Sequence, residues 1–245
     1  MNVQSLTLGG LSCQVVDALP EGQDPQLVVV FCHGYGAPAT DLVPLGPELI
    51  DLNADLGPVL QFIFPAAPLS LDELGLYGGR AWWQLDVARL TAAIERGESR
   101  ILRDACPKGL EESRKMLNSL VEEVQQQTGL PTSRIVLGGF SQGAMLAIDV
   151  ALRLPEPPGG LCIYSGTLLC EEIWRELVAK RGRLPVLQSH GHQDPILPFQ
   201  AAEWLRDLLR EAEMDVDFVP FQGVHAIPFE AIRKFAAMLG RIANG

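Results

Sequence analysis

The stretch IVLGGFSQGAMLAIDVALRL, Ile135 to Leu154, decides how this chain is read. Ile135–Leu137 is a short β-branched and apolar run, the pattern of a buried strand. Ala144–Leu154 is apolar nearly all round, which predicts a buried helix ended by Pro155. Between them lies Gly139-Phe140-Ser141-Gln142-Gly143, a serine with a glycine two positions to either side. A serine used as a nucleophile is best exposed on a sharp strand-to-helix turn, where side chains at the two glycine positions would clash. Ser141 is therefore the candidate nucleophile.

The same alternation continues outward. Leu27–Cys32 (LVVVFC), Leu60–Phe64, Leu161–Tyr164, Pro185–Gln188 and Val216–Pro220 read as further strands. Glu111–Gln127 carries Leu117, Leu120, Val121 and Val124 on one stripe, and Phe199–Ala212 and Phe229–Ala243 are also amphipathic. Strands alternating with helices predict an α/β fold, a mostly parallel central sheet with helices on both faces. Val3–Asp17, turning at Gly9-Gly10, predicts an antiparallel N-terminal hairpin at the sheet edge. Residues 66–107 fit the alternation poorly. They hold Tyr77, Trp82 and Trp83, then a loosely amphipathic stretch with Val87, Leu90, Ile94, Ile101 and Leu102, and are read as an inserted loop or cap beside Ser141. With no linker and no repeat, 1–245 is expected to be a single domain.

Composition narrows the function. The 245 residues carry a net charge of −11, which argues against a nucleic-acid partner, since phosphate binding needs clustered Lys and Arg. Met1–Gly10 lacks a basic residue and a long apolar core, so no signal peptide is expected. No apolar run reaches the ~18 residues of a membrane span. Five cysteines (Cys13, Cys32, Cys106, Cys162, Cys170) match no zinc spacing and are expected to be reduced and mostly buried, as in a cytoplasmic protein.

A nucleophile on this turn takes its partners in the order serine, acid, histidine. His33 precedes Ser141 and fails that order. Asp194 follows the strand Pro185–Gln188 in a loop, whereas Asp149 and Asp207 lie on helices and Asp215 and Asp217 flank the last strand. The one histidine beyond Asp194 is His225, in the loop before the final helix. Ser141, Asp194 and His225 are thus the candidate triad. His33-Gly34-Tyr35-Gly36 directly follows the first buried strand, so the backbone N–H groups of Gln142 and Tyr35 are the candidate oxyanion donors, with His33 bracing the loop.

The segments His33-Gly34-Tyr35-Gly36, Trp82-Trp83, Gly139-Phe140-Ser141-Gln142-Gly143, His190-Gly191 with Asp194-Pro195-Ile196-Leu197-Pro198, and the His225 loop stand in the order of the phospholipase/carboxylesterase family. The chain resembles that family, which includes acyl-protein thioesterases, from about residue 27 to 240. The resemblance implies an α/β-hydrolase fold and a cytoplasmic, cofactor-free and metal-free esterase or thioesterase. Its substrate would be a small-molecule or lipid-like acyl ester, or an acylated protein, with an apolar acyl site formed by Leu69, Trp82 and Trp83. The sequence departs from the family's pattern after the tryptophan pair, where Gln84 and Leu85 precede the acidic Asp86. The stretch Asp86–Lys108 is also longer and more charged than expected. Three other readings remain open on the residues alone. One is a peptidase or lactone hydrolase with the same triad. Another is a metal-dependent hydrolase built on His190, His192 and Asp194. The third is a non-catalytic binding protein that has kept the fold.

Overall fold

Apolar runs without alternation belong on strands covered from both sides. The computed structural model, which describes all residues except 87–89, 91, 94–95, 99 and 105, uses them in that way. Its strands are β1 (Asn2–Leu8), β2 (Leu11–Asp17), β3 (Leu27–Cys32), β4 (Leu60–Pro65), β5 (Leu69–Ser70), β6 (Arg80–Ala81), β7 (Ile135–Phe140), β8 (Gly160–Tyr164), β9 (Pro185–Gly191) and β10 (Asp215–Phe221). Its α-helices, among the described residues, are α1 (Leu45–Leu52), α2 (Arg100–Asp104), α3 (Leu110–Thr128), α4 (Gln142–Ala151), α5 (Glu171–Val178), α6 (Phe199–Glu211) and α7 (Phe229–Asn244).

Eight strands form one sheet in the order β1-β2-β4-β3-β7-β8-β9-β10. The first two make the expected antiparallel edge hairpin, with Leu8 opposite Leu11 across Gly9-Gly10. Strand β2 then joins β4 antiparallel, Val15 opposite Ile63. From β4 to β10 every neighbour is parallel. Parallel neighbours need helical crossovers, which cover both faces of the sheet. On one face lie α3, α4 and α5, with Leu117, Leu120, Val121, Ile148 and Trp174 in one apolar cluster. On the other lie α1 and α7, whose Leu49, Phe235 and Leu239 pack with Phe31, Phe62 and Tyr164 of the strands. All ten residues of α4 are buried, including Asp149. That carboxylate is paired to Arg114 and Arg153 and accepts the indole N–H of Trp174, as a buried charge requires. No helix of the described residues is long and apolar enough to cross a membrane.

The structure adds what the sequence pattern did not resolve. Helices α1 and α5 were not expected. Within 66–107, β5 and β6 form a separate two-stranded antiparallel sheet, Leu69 opposite Ala81 and Ser70 opposite Arg80. Val87 and Ile94 of the predicted amphipathic stretch lie outside the described residues. The cysteine expectation needs correction: Cys13, Cys32 and Cys162 are free and buried, but Cys106 is bonded to Cys170. The two are 64 positions apart, a separation at which no sequence spacing announces a pair.

Candidate active site

The triad and oxyanion candidates lie just past the carboxyl ends of parallel strands, where open α/β sheets bind ligands. Strand β3 leads into His33–Gly36, β7 into Ser141, β9 into the Asp194 loop and β10 into the His225 loop. Cys32 is paired with Gly139, so the first two loops start side by side.

Ser141 has φ 54° and ψ −118°, a conformation that costs a residue with a Cβ of the order of 1–3 kcal/mol. The surrounding backbone holds it there. Its N–H donates to the Tyr164 carbonyl at 2.8 Å, and its carbonyl accepts the Met145 N–H at 3.2 Å. The flanking glycines are required by contact. A Cβ on Gly139 would lie 2.5 Å from the Gly143 carbonyl carbon, and one on Gly143 would lie 2.2 Å from the Cys32 oxygen.

Asp194 is enclosed by donors. Its Oδ1 accepts the N–H groups of Ile196 (2.8 Å) and Leu197 (2.9 Å). Its Oδ2 faces His225 Nδ1 at 2.6 Å and His190 Nε2 at 3.3 Å. Burial by itself would raise the carboxyl pKa; the bonds from His190, His225 and Leu197 outweigh it and hold the group well below the usual carboxylate range. An ionised Asp194 fixes the His225 tautomer, with the proton on Nδ1 and a bare Nε2. The ring of Phe140 packs against that imidazole, centroids 4.7 Å apart. Ser141 and His225 line one cavity without a hydrogen bond between them. Such contacts are often long before substrate binds.

The cavity has a volume of about 560 Å³, with Trp83, Leu85, Leu90, Met145, Leu169 and Leu197 among its apolar lining. Tyr35 and Gln142 also border it, and their backbone N–H groups have no acceptor within the described residues. Of the three residues expected to contact the acyl chain, Trp83 lines this cavity. Leu69 and Trp82 do not line the cavity. Leu69 is exposed on β5, and Trp82 is fully buried with its indole N–H donated to the His33 carbonyl at 2.9 Å.

His33 lies under the Tyr35 loop. Its Nε2 accepts the Ala67 N–H at 3.0 Å, which puts its proton on Nδ1, donated to the Gly34 carbonyl at 2.8 Å. Burial pushes its pKa down and keeps it neutral. The alternative metal constellation is not assembled. His190 donates Nε2–H to the Leu197 carbonyl at 2.9 Å, while His192 stacks on Phe199 at 4.0 Å. No group of three or more His, Cys, Asp or Glu side chains among the described residues has metal-binding geometry. Sequence reasoning missed His190 as a second partner of Asp194, although its place four positions earlier, at the end of β9, was a usable signal. Phe140 against His225 had no such signal.

A model of the phospholipase/carboxylesterase family matches residues 14–240. The chain belongs to this family. Among its phospholipase/carboxylesterase relatives is a probable carboxylesterase of Oryza sativa subsp. japonica, 30% identical over 229 residues and 89% of each chain. Acyl-protein thioesterase 1 of Kluyveromyces lactis is 29% identical over 188 residues, 74% of this chain and 77% of that one. In three dimensions the chain is similar to the crystal structure of esterase PE8, with a TM-score of 0.78, 31% identity, and coverage of 95% and 99%. A carboxylesterase from Mesorhizobium loti shares the fold at 16% identity, with a TM-score of 0.72 over 98% of this chain and 99% of that one. The phospholipase/carboxylesterase chain is therefore an α/β-hydrolase of the esterase and acyl-protein thioesterase type.

Proposed function

We propose that the chain is a serine hydrolase that cleaves carboxylic esters or thioesters through an acyl-enzyme on Ser141. The observation that carries this reading is the 2.6 Å contact of His225 with an ionised Asp194, in the wall of the cavity that Ser141 also borders. His225 Nε2 takes the Ser141 proton as Oγ attacks the acyl carbon. The carbonyl oxygen, now an anion, receives the N–H groups of Gln142 and Tyr35, each such donor being worth roughly 3 kcal/mol in the transition state. His225 then protonates the departing alkoxide or thiolate. A water molecule, activated by the same imidazole, releases the acid. Asp194 keeps the tautomer and stabilises the imidazolium without taking the proton.

The apolar lining favours an acyl chain lying against Trp83, Met145 and Leu169. The thioesterase names among the relatives extend the proposal to acylated proteins as well as small lipid-like esters. The test is labelling with a fluorophosphonate followed by peptide mapping. The expected result is one adduct on Ser141, absent in Ser141→Ala, with kcat on a p-nitrophenyl ester lower by a factor on the order of 10⁶. Near-normal turnover by Ser141→Ala would overturn the reading.

A further inference from the structure

The tryptophan pair stood out in the sequence, yet only Trp83 reaches the cavity. The other half of the motif has a different task. The two oxyanion donors sit on separate loops. Their strands are last paired at Cys32 and Gly139, and Tyr35 and Gln142 each lie three residues beyond that point. Past the ladder, no β3–β7 pairing sets the distance between the two N–H groups, and donors must be held to about 0.5 Å to act together.

The segment Arg80–Trp83 spans that gap. At one end the Arg80 carbonyl accepts the Gly36 N–H at 2.9 Å, and the Arg80 N–H donates to the Ala37 carbonyl at 3.1 Å. This pairs β6 with the Tyr35 loop. At the other end the segment is gripped by the Gln142 side chain. Its Oε1 accepts the Trp82 N–H at 2.9 Å, and its Nε2 donates to the Trp83 carbonyl at 2.8 Å. A buried glutamine here completes both hydrogen bonds of a strand neighbour, some 60 residues away in sequence. The Trp82 indole N–H closes the circuit on the His33 carbonyl, and Ser113 holds the Trp82 carbonyl from α3. The Trp82 N–H, carbonyl and indole N–H, the Trp83 carbonyl and the Gln142 amide are all buried and paired, so removing one partner strands another.

We propose that Arg80–Trp83 is a crosspiece that sets the separation of the two oxyanion donors, with the Gln142 side chain, Trp82 and His33 as positioning residues. This rests on the serine-hydrolase reading and deepens it. The Gln142 residue then serves twice, its backbone as donor and its side chain as the clamp that aims that donor.

Two variants test it. Trp82→Phe removes the indole N–H and keeps most of the ring packing; Gln142→Met keeps the length and loses the amide. Each is assayed for kcat and KM on a p-nitrophenyl acyl ester. Each is also assayed for inhibition by a trifluoromethyl ketone of the same acyl chain, whose serine adduct carries an oxyanion. A loosened donor pair predicts kcat lower by about 10- to 100-fold with KM within about threefold. The ketone affinity falls by the same factor as kcat/KM. The double variant loses less than the product of the two single losses, because both act on one network. Values of kcat within about twofold of wild type in either folded variant would overturn the proposal, as would a kcat loss that leaves ketone affinity untouched. If one variant does not fold, the other decides. Ser141→Ala, run alongside, separates the two levels: its activity at the wild-type rate would overturn the proposed function and the crosspiece with it.

Discussion

Gly143→Ala puts the close packing of the nucleophile turn to a quantitative test. A Cβ at this position would stand 2.2 Å from the Cys32 oxygen, 2.5 Å from the Cys32 carbon and 2.5 Å from the His33 oxygen. Real contacts of this kind stop near 3.0 Å, so the start of α4 must move from β3 by at least about 0.8 Å. All three neighbours are backbone atoms, and Cys32 is locked in the ladder to Gly139, so no side-chain rotation relieves the clash. Overpacking of this kind costs about 1–3 kcal/mol of stability. The adjacent Gln142 N–H moves with the helix, and a 1 Å misplacement of a catalytic group costs about 10²-fold in rate. The assay is kcat on a p-nitrophenyl ester, normalised to active sites by fluorophosphonate titration, with urea unfolding beside it. A variant within about threefold of wild type in kcat, and within about 0.5 kcal/mol in stability, would show that the packing argument is wrong.

Asp194→Asn should keep the Ile196 and Leu197 bonds on its oxygen while presenting an amide N–H₂ to His225 Nδ1. The imidazole then carries its proton on Nε2, and kcat should fall by about 10⁴-fold; a loss below tenfold would refute the tautomer argument. His33 is neutral in the fold with its pKa lowered by burial. Its contribution to stability is therefore complete above the unfolded value near 6.5 and is lost as pH falls toward the folded value, at about 1.4 kcal/mol per pH unit. Urea midpoints at about pH 7 and about pH 5 should differ less in His33→Gln than in wild type, and equal slopes would exclude His33 as the source. Leu169→Trp should fill the cavity beside Met145 and shift preference to shorter acyl chains, by about fourfold in kcat/KM per excluded methylene; an unchanged chain-length profile would remove Leu169 from the acyl site.

What the sequence revealed was local in origin. β7 and α4 were legible because an apolar run, two glycines and a second apolar run fall within twenty positions. Asp194 and His225 followed from chain order and loop placement. The segment around Trp82 was not legible, because β5 and β6 have two residues each and no period. Gly36 and Ala37 hold Arg80 of β6, and Gln142 holds Trp82 and Trp83, all partners distant in the chain. Leu69, which the family resemblance implied for the acyl site, is instead exposed on the β5–β6 pair. Helix α1 is only two turns long, and its Gly46-Pro47 pair reads as a break although proline is compatible with a first turn. The Cys106–Cys170 pair shows the same limit, since contact between segments 64 positions apart is a property of the fold.

The backbone of Ser141 has an evolutionary corollary. At φ 54° and ψ −118°, the residue that would suit the turn best is glycine. Selection for a robust fold alone would therefore drift position 141 away from serine, toward a protein that survives heating better and has nothing to attack with. A Ser141→Gly relic in a sequenced genome would be such a case: a thermally hardier, silent cousin, evidence that the turn's tension is kept only while turnover is under selection.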